Sequence, residues 1–128
     1  MIAVAGLETG SVLCRLDDIA DGAARGFTFD RAEGPLDIFV VREGARAYGY
    51  VNACPHVGTP LDWRPHDFMS ADGSHIQCAT HGALFRIEDG ACIAGPCAGD
   101  HLRAVEIVVE ADGRIVCRVP GSGPARRP

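Results

Sequence analysis

No stretch of these 128 residues sustains apolar side chains at i, i+3, i+4, i+7, which excludes long helices. What the chain offers instead are short runs of branched and aromatic residues, cut at intervals by glycine, proline or aspartate. Ser11 to Leu16 reads as a first strand, with Asp17 to Ala20 as one helical turn after it. Arg25 to Asp30 alternates around Phe27 and Phe29. Leu36 to Arg42 (LDIFVVR) is the clearest strand, and Ala47 to Val51 is expected to pair with it across a turn at Glu43-Gly44. Ala104 to Glu110 and Arg114 to Val119 flank Ala111-Asp112-Gly113, a hairpin signal of the Asp-Gly kind. There is no internal repeat. The pattern predicts an all-β domain, an antiparallel sandwich or barrel, with binding loops in the turn-rich stretch from residue 52 to 100.

Length allows one domain, taken as residues 1–120, followed by a Gly/Pro-rich tail over 121–128 that is expected to fray. A hydrophobic content of 47% supplies a core. Twelve basic against 17 acidic residues leave a net charge of −5, which argues against nucleic acid and mildly favours a partner with a basic docking face. The first residues, Met1-Ile2-Ala3-Val4-Ala5-Gly6, lack the basic start of a secretory signal. No run approaches the roughly 20 apolar residues that span a bilayer. A cytoplasmic location is therefore expected. In a reducing compartment, the six cysteines (14, 54, 78, 92, 97 and 117) lean toward metal or catalysis over disulfides.

Two pairings carry the chemistry. Cys54-Pro55-His56 and Cys78-Ala79-Thr80-His81 each set one thiol and one imidazole within a few residues, and glycines follow at 58 and 82. Two sulfur and two nitrogen donors suit a metal centre. Reduced core cysteines with surface histidines are the plain alternative, and among metal centres a tetrahedral zinc site is one reading. A [2Fe–2S] cluster with His₂ replacing Cys₂ on one iron is the other, and the mixed pattern favours it.

The stretches Asn52 to Leu61 and Ile76 to Phe85 closely resemble the two cluster-binding loops of the Rieske family, C-x-H, a separator, then C-x-x-H. Gly90-Ala91-Cys92-Ile93-Ala94-Gly95-Pro96-Cys97 is similar to the proline-containing loop that covers the cluster in that family. The resemblance runs from about residue 36 to 118. The separator, residues 57–77, is longer than in the shortest members, with the extra length around Arg64 to Gly73. The resemblance implies a Rieske-type β fold with a small cluster-binding subdomain from about residue 52 to 99, and one [2Fe–2S] cluster per chain. It implies that Cys54 and Cys78 hold the inner iron as thiolates, while His56 and His81 hold the outer iron. Neutral imidazoles add no negative charge, so the electron is expected on the outer iron. Glycines 58 and 82 are expected to let backbone N–H groups approach the sulfurs.

Departures from the family are informative. High-potential respiratory members carry an extra cysteine in each loop, which together form a disulfide. The matching positions here are Thr59 and Thr80. Those members also place serine and tyrosine hydroxyls where this chain has Ala83 and Phe85. Fewer donors to sulfur imply a potential near the low end of the Rieske range, about −150 mV. The resemblance is thus to ferredoxins, or to the Rieske domain of aromatic-ring oxygenases. Oxygenase chemistry needs a second, mononuclear iron, and only His66, His75 and His101 remain, all expected at the surface. Catalysis by this chain is not expected.

The implied role is one-electron carriage between a flavin-dependent reductase and a terminal oxygenase or other acceptor, through weak and transient complexes. The edges of His56 and His81, with Pro55, Val57 and Leu84 around them, are the expected docking tip. A Rieske small subunit of a larger oxidoreductase, or a zinc-stabilised binding module, are the alternatives. Cys92 and Cys97 read as small buried thiols, with a redox disulfide as the other possibility. Cys14 and Cys117 read as core residues, and Trp63 as packing beneath the first loop.

Overall fold

The computed structural model describes residues 2–4, 11–29, 34–55, 60–62, 68–78 and 82–118. They form β1 (Ile2–Val4), β2 (Ser11–Arg15), β3 (Ala24–Phe29), β4 (Leu36–Glu43), β5 (Arg46–Val51), β6 (Ile76–Gln77), β7 (Leu84–Phe85), β8 (Cys92–Ala94), β9 (Ala104–Val109) and β10 (Arg114–Arg118). One 3₁₀ turn covers Leu16–Asp18. Seven strands make one sheet in the order β1-β3-β4-β5-β9-β10-β2, and β6-β7-β8 make a second, smaller sheet. All pairings are antiparallel except β1 on β3. The expected all-β, barrel-like architecture is what the chain adopts.

Strand β4 explains the layout. Its four central residues, Ile38, Phe39, Val40 and Val41, are all fully buried. Successive side chains on a strand point to opposite faces. Ile38 and Val40 accordingly join Phe27, Val105, Ile115 and Cys117 in one core. Phe39 and Val41 join Tyr50, Leu61, Phe68, Ile76 and Phe85 in the other. A strand buried on both faces reads as a continuous apolar run, and IFVV at 38–41 is that run. The second core is where the Cys/His loops are rooted. Phe39 stacks on Phe68 there, with ring centroids 4.3 Å apart and planes 9° from parallel.

The hairpins follow their turn chemistry. Glu43 pairs with Arg46 across Gly44-Ala45. Glu110 and Arg114 close the three-residue loop Ala111-Asp112-Gly113, with the Glu110 N–H donating to the Arg114 carbonyl at 2.9 Å. Three differences from the sequence reading have physical causes. The helical turn covers Leu16–Asp18 and not Asp17–Ala20, because Ile19 is extended (φ −116°, ψ 126°) and buried in the barrel core. β1 is too short to show a period, and it gains its place by pairing in parallel with Phe27 to Phe29. The small sheet consists of strands of two or three residues, below the length at which alternation can be read. Asp30, Val119 and the tail 121–128 lie outside the described residues.

One side chain joins the two sheets. Tyr50 of β5 is buried, and its hydroxyl donates to the Ile87 carbonyl just past β7 at 2.5 Å. Its ring lies over Gly90, where an added Cβ would come within 2.8 Å of Cε1. Burial, reinforced by Asp89 and Glu88, raises the phenol pKa, so the hydroxyl stays a donor. Tyr50→Phe leaves a buried carbonyl without its donor, and we expect a loss of about 1–3 kcal/mol. Urea unfolding of both proteins measures it; an unchanged midpoint would show that the joint does not depend on this bond.

Candidate metal centre

The first loop leaves β5 at Asn52, the one buried polar side chain among the described residues. Its amide works in both directions. The carbonyl oxygen accepts the Leu61 N–H at 2.7 Å, and Nδ2 donates to Asp62 Oδ1 at 3.0 Å. Its own N–H donates to the Asp37 carbonyl at 2.8 Å. Asn52 therefore ties the exit of the loop to its entry and ties both to β4. Cys54, two residues on, is buried at 2% exposure beside Leu61 in the core beneath.

The second loop connects β6 to β7. Cys78, at its start, is fully buried in the same core as Cys54. Two backbone bonds close the loop at its base: the Cys78 N–H donates to the Ala83 carbonyl at 2.9 Å, and the Gly82 N–H donates to the Cys78 carbonyl at 2.8 Å. Gly82 has φ +69°, a left-handed conformation that favours glycine. Its amide is thus engaged by a carbonyl oxygen, and its contribution is the chain reversal that returns to β7.

The third loop lies directly on the second. Gly95 has φ +103°, and an added Cβ would stand 2.8 Å from Ala83 Cα and 2.9 Å from its Cβ. Gly95 thus rests on the base of the second loop at Ala83. The third loop carries two more buried thiols. Cys92 and Cys97 Sγ are 2.9 Å apart, and Cys97 also borders Cys54. Burial, with Cys92 and Cys54 adding to it, pushes the Cys97 thiol up to about 12, so it remains S–H at neutral pH.

The structure therefore brings Cys54 and Cys78 together in one apolar cluster as free thiols. His56 and His81, with Val57, Gly58, Thr59, Trp63, His66 and Thr80, lie outside the described residues. Pro55 and Leu84 are partly buried, His75 is partly buried with Nδ1 2.8 Å from Ser74 Oγ, and His101 is exposed. Ala83 and Phe85 are buried, and neither side chain carries a hydroxyl. Cys117 is buried and held up to about 12, first by burial and then by Glu106, as an inert core thiol; Cys14 is only partly buried. Buried paired sulfurs with imidazoles on the same loops fit an iron–sulfur cluster shielded on its thiolate side. Asn52, Tyr50 and the Ala83–Gly95 contact escaped the sequence reading, since each acts through a partner distant in the chain.

A β domain of two sheets with buried thiols gathered in one core fits a protein that holds an iron–sulfur cluster. The chain matches the Rieske [2Fe-2S] domain over residues 10–110 and belongs to that family, which carries a [2Fe–2S] cluster. Among solved structures it is similar to the ferredoxin of carbazole 1,9a-dioxygenase from Nocardioides aromaticivorans IC177, at 28% identity, TM-score 0.67, covering 88% of this chain and 99% of that one. It is also similar to a chain in the complex of reduced oxygenase and oxidized ferredoxin in carbazole 1,9a-dioxygenase, at 23% identity, TM-score 0.65, covering 91% and 95%. The terminal oxygenase of carbazole 1,9a-dioxygenase from Novosphingobium sp. KA1 shares the fold at 14% identity and TM-score 0.71, covering 96% of this chain but 32% of that one. Comparison with curated protein sequences found no match.

Asn52→Ala removes the acceptor for the buried Leu61 N–H and the donor to Asp62. We expect a loss of about 1–3 kcal/mol and faster loss of the cluster from the folded protein; equal stability in urea would show the clamp to be dispensable. The neighbouring turns set a pH limit. Asp72 is held down to about 2, mainly by the Ser74 hydroxyl and N–H and then by Ser70. Asp89 is held down to about 2, first by the Arg86 guanidinium and then by the Ala91 N–H. Carboxylates depressed in the fold stabilise it above the ordinary value near 3.8, and that contribution disappears as pH falls toward 2. Both are solvent-exposed, so the effect is small. The wild-type unfolding midpoint is expected to fall more between pH 4 and 2 than that of Asp72→Asn/Asp89→Asn, and parallel curves would refute it.

Proposed function

We propose that this chain is the ferredoxin component of an aromatic-ring dioxygenase system, taking one electron from a flavin-dependent reductase and delivering it to a terminal oxygenase. The carrying observation is the likeness to a dioxygenase ferredoxin at 28% identity, against 14% for the similar terminal oxygenase. We read residues 1–120 as a single Rieske domain, its cluster-binding subdomain spanning about 52–99. In this reading Cys54 and Cys78 hold one iron through sulfur, and His56 and His81 hold the other through nitrogen.

When bound, the cluster supplies one-electron chemistry, changing its charge by one unit without breaking a substrate bond. The residues do the rest. The apolar core around Cys54 and Cys78 excludes water from their sulfurs. The third loop adds an apolar rim, with Ile93 about half exposed at 49% beside exposed Ala94 and Pro96. Such a rim, on a chain of net charge −5, suits a small and short-lived contact with a basic docking face. Ala83 and Phe85 offer no hydroxyl to sulfur, which supports a potential near the low end, about −150 mV. No helix among the described residues is long and apolar enough to cross a membrane, which is compatible with a cytoplasmic carrier.

Low-temperature EPR of the dithionite-reduced protein is expected to give the low average g of a cluster with histidine on one iron. A colourless sample with stoichiometric zinc would replace this reading with a structural module. His81→Cys puts a charged thiolate in place of a neutral imidazole. The potential is expected to drop on the order of 100 mV, part of the way from about −150 toward about −400 mV for all-thiolate clusters. An unchanged potential in protein film voltammetry would remove His81 from the ligand set.

A further inference from the structure

We propose that Cys92 and Cys97 are a disulfide-forming pair, a redox modification site built into the third loop and separate from the four proposed ligands. The two sulfurs are 2.9 Å apart, inside their van der Waals contact and beyond a covalent bond of about 2.05 Å. Contact of this kind needs no movement of distant elements to become a bond. The backbone already holds the two residues in register. The Cys92 N–H donates to the Asp100 carbonyl at 2.8 Å, and the Asp100 N–H donates to the Cys97 carbonyl at 2.9 Å. Gly95, in its left-handed conformation, turns the chain between them.

Access is one-sided. Cys92 and Cys97 are 6% and 2% exposed, but Ile93, Ala94, Gly95 and Pro96, which bridge them, are all solvent-exposed. The oxidant of the proposal is a small neutral one of the peroxide class, with only this short exposed loop between solvent and the pair. Cys92, the more exposed of the two, attacks a peroxide oxygen through sulfur, and its thiol proton passes to the departing oxygen. The O–O bond breaks, Cys92 becomes the sulfenic acid, and hydrogen peroxide leaves one oxygen as water. The Cys97 sulfur then displaces the sulfenic oxygen, which departs as a second water with the Cys97 proton. Two thiols lose two electrons and two protons, and one peroxide becomes two waters. Because Cys97 borders Cys54, oxidation also removes an S–H from beside a proposed ligand sulfur, which gives the pair a route to the potential.

The test is peptide mapping of the holoprotein after brief treatment with equimolar hydrogen peroxide, acid quench and alkylation. Trypsin releases residues 87–103, which contain Cys92 and Cys97 and no other cysteine. That peptide is expected to lose alkylation at both positions and to run two hydrogens lighter, and dithiothreitol is expected to restore both thiols. Cys97→Ser is expected to abolish the lighter peptide and leave Cys92 as a sulfenic acid captured by dimedone. Recovery of the wild-type peptide with both thiols alkylated, or with sulfinic acid in place of the bridge, or bridged to Cys54 or Cys78, overturns the proposal. The readout concerns only this peptide, so it stands or falls independently of the ligand assignment and of the electron-transfer reading.

Discussion

The double burial of β4 is the constraint on which the remainder of the structure depends. A strand has two faces, and in most antiparallel sheets one of them is wet. Here Ile38 and Val40 fill the barrel, while Phe39 and Val41 form the floor on which the loops stand. The large sheet is therefore more than a scaffold at one side of the site. Strand β4 contributes Phe39 and Val41 to the second core. Phe68 stacking on Phe39 and Tyr50 reaching Ile87 then fasten the small sheet to that floor.

On this floor the two cysteine loops are held by different means. The first is closed by a side chain, Asn52, which bonds the backbone at Leu61 and the carboxylate of Asp62. The second is closed by backbone bonds between Cys78 and the Gly82-Ala83 pair. Rigid roots matter for a carrier of single electrons. The less the surroundings rearrange when charge changes, the lower the barrier to transfer, and buried thiols on short closed loops have little freedom to rearrange. The third loop completes the enclosure by resting Gly95 on Ala83, with no space for a side chain between them.

Four of the six cysteines, 54, 78, 92 and 97, converge on the second core, although they come from three loops. Two read as ligands by their histidine partners in sequence. The other two have no such partner, and contact between them is what distinguishes them from ordinary small core residues such as Cys117.

Much of this was legible in the chain itself. The run LDIFVVR, the Asp-Gly hairpin near residue 112 and the Cys/His pairs are local patterns, and local patterns survive in a linear string because their physics is local. Strand period, turn chemistry and donor type determined the all-β class, the hairpins and the candidate ligands. The tertiary structure alone decided that Asn52 clamps a loop, that Tyr50 joins two sheets, that β1 pairs in parallel, and that Cys92 touches Cys97 beside Cys54. Each of these depends on which distant segments share a core. That follows from how the apolar faces of β4 are divided between two cores, a distribution of burial that no window of neighbouring residues contains.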